Sequence, residues 1–137
     1  MYIYVSGPYS APSPTQILAN VYKAIDAGIA ILFKGHVPFI PHLTHFLSAR
    51  LRETGKDFSW EFYMRYDLAW LEKCDALLYL APSKGADIEL KAAIRMGKEI
   101  FCSIDEIPVG EAKIDIEDLV DSSVSKAGDR SCIRTQK

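Results

Sequence analysis

Residues 76–90 read ALLYLAPSKGADIEL, and this stretch indicates the fold class. Its first five residues, 76–80, form an apolar run typical of a buried strand, and a small polar loop ends that run. Apolar residues then recur at helical spacing from Ile88 to Met96, and Gly97 marks the end of the pattern. A buried strand that passes through a polar loop into an amphipathic helix is the repeating unit of a parallel α/β sheet.

The same alternation of strand and helix extends on both sides of this stretch. We predict an α/β fold with a single-domain flavodoxin-like or Rossmann-like parallel sheet of four to five strands and helices on both faces. The domain should span residues 1–121, and residues 122–137 should form a polar tail. The other predicted elements are strands at 2–5, 37–40 and 99–102, a helix from Ser13-Pro14 to about Lys34-Gly35, a helix at 43–52, and a helix from Asp57 or Ser59 through Leu71.

Composition narrows the classes of function. The 137 residues are 49% hydrophobic and 25% charged, which is the balance of an ordinary globular domain. A chain of this length buries roughly two thirds of its unfolded surface, enough for a core without disulfides. The formal net charge of -2 provides no broad basic field for a nucleic-acid polymer, but it allows a local pocket for one small anion.

The cysteines and the first ten residues indicate the cellular compartment of the protein. Cys74, Cys102 and Cys132 are odd in number and widely spaced, which fits neither a disulfide framework nor a zinc pattern. Residues 1–10 have neither a basic start nor a long apolar stretch, and we expect no segment of membrane-spanning length. The sequence therefore predicts a cytoplasmic protein without a membrane partner.

Polar side chains collect in the loops that follow the predicted strands. Ligands of open parallel sheets bind beyond the carboxyl ends of the strands, where these loops meet. We therefore expect a small-molecule substrate there. The predicted substrate-binding residues are Ser6, Gly7 and Tyr9 after the first strand, His42 after the second, and Ser83, Lys84 and Gly85 after the third.

Glu89 is the candidate for reaction chemistry. We place it in the first turn of a helix, where free N–H groups and the helix dipole favour an ionised carboxylate. Such a carboxylate can act as a nucleophile or stabilise an oxocarbenium ion, and in glycoside chemistry carboxylates work in pairs. Asp67 is the candidate second carboxylate. Ser83, Lys84 and Gly85 form a donor-rich loop at the same helix terminus, which suits a phosphate group.

Each candidate also has an ordinary structural interpretation. A glutamate near a helix start is more often a capping or dipole partner, and a strand tyrosine such as Tyr4 is more often a core residue. Residue spacing alone therefore leaves the function undecided. His42 and His45 lack the carboxylate or cysteine partner that zinc requires, so we expect no metal. Trp60 and Trp70 have the helical spacing of core or subunit-interface residues.

Three segments in register resemble the nucleoside 2-deoxyribosyltransferase superfamily: YVSGPY (4–9), DLAWLEKCD (67–75) and SKGADIE (83–89). The resemblance extends from residue 2 to about residue 104. It is closest to the small branch that includes the deoxynucleoside 5'-monophosphate N-glycosidases.

The resemblance implies specific roles. Glu89 would attack the anomeric carbon to form a glycosyl-enzyme intermediate, Asp67 would assist protonation of the leaving base, and Tyr4 would orient Glu89 through a hydrogen bond. It further implies no cofactor and a homodimer or larger homo-oligomer in which a neighbouring subunit can complete the site.

The substrate expectation rests on one position of that match. Ser83 stands where the monophosphate branch has a phosphate-binding serine and where nucleoside-specific transferases tend to have an aspartate. We therefore expect hydrolysis of a (deoxy)nucleoside 5'-monophosphate. The branch's arginine after the first-strand glycine is missing, because Pro8, Tyr9 and Ser10 occupy that stretch.

Two alternatives stay open: a nucleoside 2-deoxyribosyltransferase that moves the sugar between bases, and a non-catalytic nucleotide-binding module. A dinucleotide-binding domain is disfavoured, because residues 6–12 lack the G-x-G-x-x-G glycines.

Overall fold

The structure is a computed structural model, and it describes residues 1–111, 116 and 119–124. Most of the predicted polar tail, 122–137, and with it Cys132, lies outside the described residues. In chain order the main elements are β1 Tyr2–Ser6, α1 Pro14–Phe33, β2 Val37–Phe39, α2 Thr44–Arg52, α3 Trp60–Lys73, β3 Ala76–Tyr79, α4 Lys84–Arg95 and β4 Glu99–Phe101. Short 3₁₀ turns lie at Pro41–Leu43 and Ile104–Glu106.

The strands form one parallel sheet in the order β2-β1-β3-β4, which confirms the predicted α/β fold. The chain runs from β1 to β2 on one side and then returns to β3 on the other side of β1. The direction of winding therefore reverses between β1 and β3, where Ser6 pairs with Tyr79 at the carboxyl ends. In open α/β sheets a reversal of this kind opens the crevice in which ligands bind.

The two faces of the sheet bury separate hydrophobic clusters, because successive side chains of a strand point to opposite faces. On β1, Ile3 and Val5 pack with residues of α1 such as Ala24 and Ile31. On the other face, Tyr4 belongs to a cluster that also holds Leu71, Leu77, Ala92 and Ala93 from α3, β3 and α4. Helices therefore cover both faces, as the sequence predicts.

Serine N-caps set the starts of three helices. Ser13, Ser59 and Ser83 each have extended backbone, and the side chain of each accepts a backbone N–H from the residue three positions later. The cap at Ser83 starts α4 at Lys84, so Glu89 lies in the second turn. Its predicted place in the first turn was wrong, because the helix begins within the loop that the sequence analysis left irregular.

The long helix α1 corrects a second expectation. By length and composition alone it is long and apolar enough to cross a membrane, so the expectation that no segment reaches that length was wrong. This is weak support for a membrane span, since core helices of water-soluble proteins meet the same criterion. In the structure α1 buries Ala24, Ala27 and Ile31 in the hydrophobic cluster on one face of the sheet.

Candidate active site

A cavity of about 500 Å³ lies at the carboxyl ends of the strands. Its walls come from the loops after β1, β2 and β3 and from the helices α2, α3 and α4. Eight residues that the sequence analysis singled out line it: Gly7, Tyr9, His42, Asp67, Ser83, Lys84, Gly85 and Glu89. The predicted loops therefore do meet in one place, at the point where ligands of this sheet type bind.

Tyr4 and Ser6 lie beneath the cavity and hold Glu89 from the side of the sheet. Both are fully buried. The Tyr4 hydroxyl donates to Glu89 Oε1 at 2.7 Å, and the Ser6 hydroxyl donates to Glu89 Oε2 at 2.5 Å. Ser6 was predicted to bind substrate, but its hydroxyl is directed to Glu89 and it does not line the cavity.

Glu89 is itself buried, with 6% of its surface exposed. Burial raises the pKa of its carboxyl group to about 6, although the hydrogen bonds from Ser6 and Tyr4 act in the opposite direction. The group is therefore mostly ionised at neutral pH. The reason differs from the one expected from sequence: two hydroxyl donors, rather than a place in the first turn of the helix, support the charge.

Asp67 reaches the same cavity from α3 and has the opposite protonation state. It is 9% exposed, and its Oδ1 is enclosed without a hydrogen-bond partner in the described part of the chain. Burial, and after it the charge of Glu89, raise its pKa to about 8. Asp67 is therefore protonated at neutral pH. Two carboxyl groups whose surroundings separate their pKa values are the usual arrangement of an acid and a base or nucleophile.

His42 presents a hydrogen-bond acceptor rather than a positive charge. Its Nε2 lies 3.1 Å from the Gly7 carbonyl oxygen and 3.0 Å from that of Pro8, so Nε2 must carry the proton and donate. Burial lowers the pKa of the ring, which is therefore neutral. Nδ1 keeps its lone pair, is enclosed and has no partner in the described residues. Such an atom suits an N–H or O–H donor and does not suit a phosphate oxygen.

The start of α4 provides the donors of the predicted phosphate site. The Ser83 hydroxyl oxygen accepts from Ala86 N and can still donate its own proton. The backbone N–H groups of the first helical residues, Lys84 and Gly85, have no acceptor within the helix. The Lys84 ammonium lies 4.4 Å from the centre of the Trp60 ring, a cation–π contact at the cavity wall.

The outer wall of the cavity was not predicted from sequence. Asp57, in the turn before α3, accepts hydrogen bonds from Ser48 and Arg52 on the α2 side and from Tyr63 on α3. The bond from Arg52 contributes most to lowering the pKa of Asp57 to about 2. Through Asp57 these bonds connect α2 to the first turns of α3. No local sequence pattern predicts the hydrogen bonds to Asp57, because these bonds depend on how the two helices lie relative to each other.

The aromatic residues Phe58, Trp60 and Tyr63 give this wall an apolar surface. On the facing side, the Tyr9 hydroxyl lies 2.9 Å from His45 Nδ1, which joins the first loop to α2. Trp60 is half-exposed at the cavity rather than part of the core. Its place just after the N-cap Ser59 was the one signal that could have located it there.

No three His, Cys, Asp or Glu side chains come together as possible metal ligands within the described ranges. The expectation of a metal-free and cofactor-free site stays a prediction.

Comparison with known proteins identifies a family but no activity. The family model described as "Domain of unknown function (DUF7768)" matches residues 1–103. This span contains all four strands and every residue of the cavity. No curated protein matches the chain. The resemblance to the nucleoside 2-deoxyribosyltransferase superfamily therefore stays a prediction.

Proposed function

The chain belongs to the DUF7768 family, and from the geometry of its cavity we propose that it is an N-glycosidase acting on a (deoxy)nucleoside 5'-monophosphate. The main support is the pair of carboxyl groups in one cavity, with pKa values of about 6 for Glu89 and about 8 for Asp67. At a pH between these two values Glu89 is a carboxylate and Asp67 is a protonated acid. Most enzymes that cleave glycosidic bonds use this combination.

In the first step, Glu89 attacks the anomeric carbon of the sugar. A bond forms between a Glu89 oxygen and that carbon while the bond to the base nitrogen breaks, and the bonding electron pair leaves with the base. The Asp67 carboxyl group transfers its proton to the base, so the base leaves neutral and Asp67 becomes a carboxylate. The product is a glycosyl ester of Glu89.

In the second step, the Asp67 carboxylate removes a proton from a water molecule that attacks the anomeric carbon. The ester bond breaks, Glu89 regains its charge and Asp67 its proton, and the sugar phosphate leaves. In this reaction Tyr4 and Ser6 stay bonded to Glu89 and do not exchange protons with the substrate, because burial raises the pKa of Tyr4 well above its ordinary value.

The walls of the cavity support a nucleotide as substrate. The aromatic wall of Phe58, Trp60 and Tyr63 offers faces on which a base can stack. The phosphate would bind the N–H groups at the start of α4 and the Ser83 hydroxyl. His42 would accept a hydrogen bond from a sugar hydroxyl or an amino group of the base.

A chromatographic screen tests this proposal. The purified protein is incubated with the common ribo- and deoxyribonucleosides and their 5'-monophosphates, each with and without a second free base. We expect free base from at least one monophosphate without an acceptor. Glu89→Gln should release this base at a rate at least about 10³-fold lower than that of the wild type. Circular dichroism of both proteins shows whether the substitution leaves the fold intact.

The other outcomes distinguish the alternatives. Release that requires the added base would indicate a 2-deoxyribosyltransferase. A nucleotide that binds and is recovered intact would indicate a binding module. Equal release by wild type and Glu89→Gln would exclude Glu89 as nucleophile.

The pH dependence of kcat/KM provides a second check, because it reports the groups of the free enzyme. Activity should rise as Glu89 loses its proton near pH 6 and fall as Asp67 loses its proton near pH 8.

A further inference from the structure

Glu89 accepts hydrogen bonds from two hydroxyl groups, that of Tyr4 and that of Ser6. Tyr4 and Ser6 are separated by one residue on β1, so their side chains point to the same face of the sheet. That face packs against α4, which provides Glu89. The spacing Tyr-x-Ser on β1 thus places two hydroxyl groups under one carboxylate.

Each hydroxyl occupies a different oxygen of that carboxylate. Tyr4 donates to Oε1 and Ser6 to Oε2. Successive same-face positions of a strand are about 6.6 Å apart, so the two donors lie along the strand on either side of the carboxylate. A carboxylate with one donor can rotate about its terminal bond, whereas two separated donors define its plane.

We propose that Ser6 is a positioning residue whose hydroxyl, together with that of Tyr4, fixes the plane of the Glu89 carboxylate and supports its negative charge. Ser6 acts through Glu89 alone. It is fully buried, its hydroxyl makes no other hydrogen bond within the described residues, and it does not line the cavity. With both oxygens held from the sheet side, the remaining lone pairs of Glu89 are left for the cavity.

The electrostatics agree with this arrangement. Burial raises the pKa of Glu89, and of the two groups that oppose the increase Ser6 acts more strongly than Tyr4. Tyr4 stays protonated and remains a donor, because burial and then the charge of Glu89 raise its own pKa. Loss of Ser6 would therefore leave a buried carboxylate with one donor instead of two.

A titration of Glu89 without substrate tests the inference. The side-chain carboxyl carbon of Glu89 is followed by carbon-13 NMR against pH and assigned by its absence in Glu89→Gln. In Ser6→Ala we expect the titration midpoint to rise by about one pH unit, the order of effect of one hydrogen bond to a charged group. Ser6→Thr keeps a hydroxyl and should keep the wild-type midpoint.

An unchanged midpoint in Ser6→Ala would overturn the inference, even if the variant is less stable, because lost packing alone changes stability and not the titration of Glu89. If Ser6→Ala does not fold, Ser6→Cys, which replaces the hydroxyl by a weak donor of similar size, gives the same comparison. The role as a positioning residue for a nucleophile rests on the proposed function, but the titration does not. A shifted midpoint without any base release would therefore reject the N-glycosidase and keep the Ser6 contact.

Discussion

Asp67 has a carboxyl oxygen, Oδ1, that is buried without a hydrogen-bond partner in the described part of the chain. Natural interiors pair most of their buried polar atoms, and exceptions cluster at functional sites. The neighbouring Glu89 has two hydroxyl donors, whereas Asp67 Oδ1 has no donor among the described residues. The pKa values of the two groups therefore differ because of their hydrogen-bond partners more than because of the depth of their burial. We interpret the unpaired Asp67 as the acid of the proposed reaction, retained at some expense of stability.

This interpretation predicts that Asp67→Asn stabilises the protein at alkaline pH. The pKa of Asp67 is about 8 in the folded protein against a usual 3.8, so between these values the folded state holds a proton that the unfolded state has lost. Stability from this group is present below about pH 4 and is lost as pH rises towards about 8. The asparagine variant does not undergo this loss.

Urea unfolding of both proteins from about pH 5 to about pH 9 gives the measurement. The variant should gain about 4 kcal/mol over wild type between these limits, because over roughly three pH units of this range the folded wild type holds a proton that the unfolded chain has lost, and each unit corresponds to about 1.4 kcal/mol. A constant difference across the range would show that Asp67 does not titrate as described.

At the residue scale, the sequence predicted which residues would meet but not always what they would do. Gly7, Tyr9, His42 and Ser83 were located by the rule that loops after parallel strands converge. Ser6 was assigned to substrate because it begins the same loop. Its hydroxyl instead bonds to Glu89. Successive side chains of β1 point to opposite faces of the sheet, and this contact can be predicted only if it is known that α4 covers the face on which Ser6 lies.

Among the elements, α1 and the chain after β2 approach each other unusually closely. A Cβ on Gly28 would overlap Ile40 Cδ1 and lie 2.9 Å from Ile40 Cγ1. Glycine is a poor helix former, so its place inside α1 is explained by this contact rather than by propensity. The contact positions the turn Pro41–Leu43, and with it His42, at the cavity.

We predict that Gly28→Ala destabilises the protein by about 1–2 kcal/mol, because the cost of overpacking exceeds the gain in helix propensity. In an Ile40→Ala background the same substitution should be neutral or stabilising by up to about 1 kcal/mol. A double-mutant cycle of unfolding free energies measures the coupling. Equal effects of Gly28→Ala in the two backgrounds would contradict the packing argument.

The start of α1 was predictable because the serine cap Ser13 precedes a periodic pattern, whereas the start of α3 was left open between Asp57 and Ser59, and the structure has Ser59 as the cap. The start of α4 was not placed correctly, because the small polar residues 83–85 read equally well as a loop. The start of α2 was displaced from 43 to Thr44, since a 3₁₀ turn at Pro41–Leu43 comes first. Local pattern identifies an element, whereas its first turn depends on the contacts of the preceding loop.

On the surface of the molecule, a row of exposed aromatic side chains begins just before α3 and runs along that helix. We call Phe58, Phe62, Tyr66 and Trp70 the aromatic stripe, which is spaced four residues apart. Each is 37–45% exposed, and Phe62 stacks with both Phe58 and Tyr66. Contiguous exposed aromatic surface is typical of protein interfaces. We propose that a second copy of the chain covers the stripe, which ends at the cavity wall through Phe58.

The proposed homo-oligomer predicts a particle of at least twice the chain mass by size-exclusion chromatography with light scattering. Tyr66→Glu should shift the protein towards a single chain, because it introduces an unpaired charge into the interface. Tyr22→Glu, on the exposed side of α1, is the matched control and should leave the mass unchanged. A wild-type protein of single-chain mass would exclude the proposed assembly.

In the proposed reaction Glu89 forms a covalent bond with the sugar, and intact-protein mass spectrometry can detect this bond. A nucleoside 5'-monophosphate analogue with fluorine at the sugar 2' position should slow both steps and allow the ester to accumulate, since fluorine disfavours the oxocarbenium-like transition state. We predict a mass increase equal to the fluorinated sugar phosphate less one water, located by peptide mapping on Glu89 and absent in Glu89→Gln. Release of the base with unmodified protein, or an adduct at any other residue, would contradict the account.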